Sequence, residues 1–97
     1  MANNSVIPPR DGYLRFVKEL CEENDIVLTF DEVKTGFRAS KGGAQQLFGV
    51  KPHMTTFAKA LGNGYPISVV VGLEDIMRKY ATKDVILYQS TYARNPV

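Results

Sequence analysis

Short apolar runs alternating with helix-like segments predict an α/β layer with at least some parallel strand pairing for this chain of 97 residues. The runs are residues 26–30, 54–58, 67–71 and 85–88, each rich in β-branched or aromatic side chains. The segments between them either repeat apolar residues at helical spacing or carry turn-forming glycine and proline. No internal repeat and no low-complexity stretch interrupts this order.

Taken in order, Pro8 and Pro9 close an irregular opening, because proline favours extended backbone and is excluded from a helix interior. Asp11 is the expected N-cap of a helix ending near Asn24. Tyr13, Phe16, Val17, Leu20 and Cys21 form its apolar stripe, and Arg15, Lys18, Glu19, Glu22 and Glu23 take the other positions. Cys21 on that stripe reads as a small core residue. Residues 26–30 read as a strand buried on both faces, with Asp31 at its carboxyl end. A polar stretch with flexible points at Gly36, Gly42 and Gly43 leads to a short helix over 44–48 that Gly49 stops. Pro52 bars helix before the strand at 54–58, which Lys59 follows directly. A turn at Gly62, Asn63 and Gly64 precedes the run at 67–71. A helix over 74–81, with Ile76, Met77 and Tyr80 on one side, a strand at 85–88 and a loop from Gln89 complete the reading.

Composition sets bounds. A hydrophobic share of 44% and a charged share of 23% fit one small soluble globular domain. The net charge of +2 comes from scattered side chains with no basic stripe, which gives no reason to propose nucleic acid. No apolar run approaches the roughly 20 residues that cross a bilayer, so no membrane partner is expected. The opening residues lack the basic and apolar parts of a signal peptide, and the single cysteine, Cys21, allows no internal disulfide; a cytoplasmic setting is expected.

Asp31 and Lys59 carry the chemistry. The carboxyl edge of an open α/β sheet is where ligands bind, and both groups are expected there. Asp31 could also be an N-cap or a turn-forming acid. Lys59 could be a solvated lysine at a strand end, but Phe57, Ala58, Ala60 and Leu61 give it an apolar setting suited to a Schiff-base nucleophile.

Phe30-Asp31-Glu32-Val33-Lys34-Thr35-Gly36-Phe37-Arg38, then Gly49-Val50-Lys51-Pro52, then Phe57-Ala58-Lys59-Ala60-Leu61-Gly62-Asn63-Gly64-Tyr65-Pro66-Ile67, resembles the core of the class III pyridoxal-phosphate-dependent aminotransferases. Gly36-Phe37-Arg38 and Gly42-Gly43-Ala44-Gln45 are most similar to the branch containing glutamate-1-semialdehyde aminomutase. The resemblance runs from about Val6 to the last residue. It implies a partial large domain of the fold type I transferases, a mostly parallel sheet with flanking helices, and pyridoxal 5'-phosphate as cofactor.

Residue by residue, the resemblance implies that Lys59 carries the cofactor as a Schiff base and then moves the proton. Asp31 is implied as the partner of the pyridinium nitrogen, which keeps the ring electron-withdrawing. Val33, two residues on, would pack against the ring if the backbone stays extended; Glu32 would face the other way and has no cofactor role. Thr91, in Ser90-Thr91-Tyr92-Ala93-Arg94-Asn95-Pro96, is similar to a loop threonine that reaches the phosphate of a neighbouring subunit, which implies a homodimer. Ser90 and Arg94 depart from the usual spelling of that loop. Gly62, Asn63 and Gly64 lack a Walker or dinucleotide pattern and read as a tight turn beside the cofactor. His53 replaces an aspartate common after this proline and reads as a surface loop residue; one histidine and one cysteine make no metal site.

The implied activity is transfer of an amino group between a small-molecule amino donor and an oxo acceptor. An aminomutase or a racemase on the same scaffold is one alternative, and a non-catalytic fragment or α/β binding module is another. Residues 1–97 are expected to be a central piece of the large cofactor-binding domain, without the phosphate loop, the ring-stacking aromatic residue or a second domain.

Overall fold

The structure, a computed structural model, describes residues 5–80. Within them the elements are helix α1 (Tyr13–Glu23), strand β1 (Thr29–Asp31), helix α2 (Gly43–Leu47), strand β2 (Met54–Phe57), a 3-10 turn (Lys59–Leu61), strand β3 (Val69–Gly72) and helix α3 (Glu74–Tyr80). The expected strand at 85–88, the loop from Gln89 and Thr91 lie outside the described residues.

The three strands form one sheet in the order β1-β2-β3. β1 and β2 run parallel, with Asp31 opposite Thr56, and β2 and β3 run antiparallel, with Phe57 opposite Val69. The sheet is therefore mixed: the expected parallel pairing is present at β1–β2, while β3 returns as a long hairpin. An apolar run does not encode its own direction, so the return was not readable from Val69, Val70 and Val71.

Helix α1 begins differently from the expectation. Its N-cap is Gly12, with φ 78° and no side-chain cap bond, so Asp11 stands one residue too early to serve. The left-handed turn at Gly12 starts the helix with Phe16 N–H donating to Gly12 O at 2.9 Å. The other end is a Schellman closure: Asp25 is left-handed (φ 54°), and Ile26 N–H donates to Cys21 O at 2.8 Å. Leu14, Val17 and Cys21 are half-buried, whereas Tyr13, Phe16 and Leu20 are 56%, 61% and 46% exposed. The stripe thus splits into two adjacent faces, and only the first is covered among the described residues. Cys21 is half-buried rather than buried for the same reason.

β1 also differs from the expected run. Ile26 and Val27 are exposed and lie outside the ladder, and Thr29, Phe30 and Asp31 alternate exposed, half-buried and exposed rather than being buried on both faces. Pairing begins at Leu28, where His53 N–H and Met54 N–H both donate to Leu28 O at 3.0 and 3.1 Å. The buried centre is thin: Val50, Thr55, Ala58 and Glu32, at 7%, 3%, 2% and 2% exposure, lie at or beside the β1–β2 junction. Among the described residues no helix is long and apolar enough to cross a membrane, and no group of metal-ligating side chains is present.

Candidate active site

Parallel pairing brings the acid and the lysine to one edge. Asp31 is the last residue of β1, and Lys59 follows the last residue of β2, Phe57, by two positions. Glu32 N–H donates to Thr56 O at 3.0 Å, which carries the ladder one step past Asp31 and fixes how far it stands from the end of β2. Both side chains lie at the carboxyl edge of the parallel pair, as the sequence predicts.

Asp31 is held through one oxygen. Its Oδ1 accepts Val33 N–H at 3.0 Å and the Thr56 hydroxyl at 3.4 Å. Among the described residues Oδ2 has no hydrogen-bond partner. The bond from Val33 closes a turn over residues 33–35, so the chain does not stay extended after Asp31. Val33 therefore leaves the strand alternation that would have faced it the same way as Asp31, and it is half-buried.

Lys59 is exposed, so its apolar neighbours do not enclose it among the described residues. Ala58 is buried, and Phe57, Ala60 and Leu61 are half-buried. The backbone at Lys59 is left-handed, with φ 50°, after an extended Ala58. A non-glycine residue in that region costs about 1–3 kcal/mol, and such strain collects at functional positions. Gly62 N–H donates to Lys59 O at 3.0 Å and Tyr65 N–H to Gly62 O at 3.0 Å. The expected tight turn at Gly62, Asn63 and Gly64 is thus present directly after the lysine, with Asn63 and Gly64 both at positive φ.

Glu32 was missed by reasoning from sequence. It is the bulkiest fully buried side chain described, and its carboxylate accepts Thr35 Oγ1–H at 3.1 Å, Ala44 N–H, Gln45 N–H at 3.5 Å and Gln45 Nε2–H at 2.7 Å. A signal was available: α2 opens at Gly43 with Gly42 as its N-cap, and neither has a side chain to accept a bond, so the first N–H groups need an acceptor from elsewhere.

His53 was misread as a surface loop residue. Its side chain is 13% exposed, and Nδ1 accepts Leu28 N–H at 2.8 Å, joining the entry of β1 to that of β2. Nε2 stands 3.7 Å from Glu22, whose carboxyl is held below its ordinary pKa mainly by the hydrogen bond from Lys18.

An open cleft of about 470 Å³ reaches Asp31, Phe30, Tyr13 and Phe48 but not Lys59. It lies between α1 and the sheet, where packing is incomplete, and it does not join the acid to the lysine.

Comparison with known proteins matches this geometry to a family. Glutamate-1-semialdehyde 2,1-aminomutases from Methanococcus vannielii and Methanocaldococcus jannaschii are 46% and 47% identical over all 97 residues, which cover 23% of each relative. The chain thus spans about a quarter of the length of the curated relatives it matches. The taurine:2-oxoglutarate aminotransferase of Bifidobacterium kashiwanohense, solved in complex with pyridoxal phosphate and glutamate, superimposes with a TM-score of 0.73 at 43% identity, over 79% of this chain and 18% of that one. The Aminotransferase class-III family model matches residues 2–97, and with an acid and a lysine at the shared edge of β1 and β2 the chain belongs to the class III aminotransferases, a pyridoxal-phosphate-dependent family.

Proposed function

We propose that the protein to which these residues belong moves an amino group between a carbon that bears it and a carbonyl carbon, with Lys59 and Asp31 as its working residues. The observation that carries this reading is the parallel β1–β2 register, which sets Asp31 opposite Thr56, three residues before Lys59. The residues suit the cofactor: Asp31 keeps Oδ2 for a cationic ring nitrogen, and Lys59 Nζ has no partner among the described residues.

When bound, pyridoxal phosphate supplies an electron sink for the carbon that loses a proton. Lys59 would hold it covalently through Nζ. Asp31 would keep the ring nitrogen protonated, with Val33 N–H and the Thr56 hydroxyl holding the carboxylate in place. The freed Lys59 amine would be the base that takes the proton from the amine-bearing carbon and, as its conjugate acid, gives it back. Val33, which the turn at 33–35 takes out of the strand alternation, would contact the ring from that turn, and Thr91 would hold the phosphate of the second subunit in a homodimer.

Two forms of transfer use these residues. Transfer from an amino donor to a separate oxo acid is the family's general reaction, and the aminomutase form moves the group within one molecule. The names of the relatives at 46% and 47% identity favour the second, with glutamate 1-semialdehyde as substrate.

Borohydride trapping of the whole protein with pyridoxal phosphate, followed by peptide mapping, tests the site. The pyridoxyl group is expected on Lys59, and an adduct on Lys34 or Lys51 with Lys59 unmodified would refute it. Product analysis with glutamate 1-semialdehyde as the only substrate separates the two forms: isomerisation without any added oxo acid supports the aminomutase.

A further inference from the structure

Alternation along β1 places Asp31 and Glu32 on opposite sides of the chain, and the structure ties both to β2. On one side Asp31 bonds Thr56. On the other, Glu32 grips Gln45, whose Nε2–H also donates to Thr55 Oγ1 at 3.3 Å. Thr55 and Thr56 are adjacent, so a direct link from the last residue of β1 and a link through Gln45 from the residue after it end on consecutive residues of β2.

We infer that Glu32 is a positioning residue for Asp31, acting through the Gly42 to Gln45 segment rather than through the cofactor. Three features support it. Glu32 is 2% exposed yet receives four hydrogen bonds, more than ordinary helix capping needs. Its backbone is the junction between strand and turn, with N–H bonded to Thr56 O and its carbonyl accepting Gly36 N–H at 2.8 Å. The site is also shaped around the carboxylate, because a Cβ at Gly43 would come within 2.6 Å of both carboxylate oxygens. If Glu32 slackened, the 33–35 turn would lose Thr35 as its anchor, and Val33 N–H would no longer be presented to Asp31 Oδ1. Gly42-Gly43-Ala44-Gln45 thereby has a physical role as the receptor that holds this carboxylate. The inference rests on Asp31 being the partner of the ring nitrogen.

The test uses the whole protein. Glu32→Gln keeps the shape but turns an amide NH₂ toward donors, and adding Gln45→Glu restores a donor–acceptor pair between the two side chains. Amide hydrogen exchange of the cofactor-free protein should speed up at Ala44, Gln45 and Val33 in Glu32→Gln and slow again in the double variant. With cofactor, kcat should fall by about a hundredfold, the effect of a displacement of about 1 Å, with little change in KM, and recover in the double variant. Gln45→Ala is a milder perturbation should Glu32→Gln not fold, and it too should speed exchange at Val33. Unchanged exchange at Val33 in whichever of these variants folds would overturn the inference, leaving Glu32 as a cap of α2. Failure of the Lys59 assignment is read separately, by borohydride mapping of the unaltered protein, while the exchange arm needs no cofactor.

Discussion

Gly43→Ala should be much more costly than Gly49→Ala, although one glycine opens the same short helix that the other follows and both are left-handed, with φ of 76° and 65°. At Gly49 an added Cβ meets nothing within 4 Å, so only backbone strain remains, about 1–2 kcal/mol. At Gly43 the same strain applies, and the Cβ also comes within 2.6 Å of both Glu32 oxygens and 2.8 Å of Cδ. No carbon tolerates that approach, so the carboxylate must leave. It then loses at least one charged hydrogen bond inside a buried site, worth about 1.5–3 kcal/mol. Gly43→Ala therefore costs roughly 2.5–5 kcal/mol against about 1–2 for Gly49→Ala. Thermal unfolding of the two variants beside the unaltered protein measures the difference, and exchange at residues 43–47 locates it. Equal losses for the two variants would refute the reasoning, since the Glu32 carboxylate would then have somewhere else to go.

Three further outcomes are expected. Asp31→Asn should keep the covalent attachment at Lys59 but slow proton abstraction by orders of magnitude, because each pKa unit lost at the ring nitrogen is worth about 1.4 kcal/mol; stopped-flow turnover at the parent rate would make Asp31 a structural acid. Glu22 has a folded pKa below its ordinary 4.5, so its stabilising contribution is present above 4.5 and is lost as pH falls through the lower folded value; Lys18→Met should flatten that acid-side decline, and an unchanged pH profile of stability would discount the pair. The isolated 97-residue chain should associate and lack turnover, since Tyr13, Phe16, Val70 and Val71 are each more than 40% exposed; a cooperatively unfolding monomer by size-exclusion chromatography and calorimetry, with cofactor-dependent activity, would contradict this.

What the sequence made legible was the part that depends on neighbours along the chain. Asp31 and Lys59 could be set at strand ends because an apolar run followed by a polar residue marks where burial stops. α1 was visible from its spacing, and its end near Asn24 from the polar residues there. What stayed hidden depends on distant partners. Glu32 takes three of its four donors from residues 12 and 13 positions away, and His53 meets Leu28 across 25 positions. The start of β1 was placed too early because Ile26 and Val27 are as apolar as the strand itself, while the ladder begins only where His53 and Met54 reach Leu28. Asp11 failed as a cap because Gly12 took the left-handed step.

The return of β3 beside β2 bears on the order in which the two halves of the edge come together. Phe57 meets Val69 after 12 residues, whereas Asp31 meets Thr56 only after 25. Each doubling of a closed loop costs about 0.6 kcal/mol of chain entropy, and a hairpin needs no crossover. The lysine, carried on the connection between β2 and β3, is therefore set in place by a contact that forms readily on its own. The acid must wait for a strand from further back to arrive alongside. Pulsed hydrogen exchange during refolding should find the β2–β3 amides protected before Glu32 N–H, whose partner is Thr56 O; the reverse order would mean that the parallel pair nucleates the sheet.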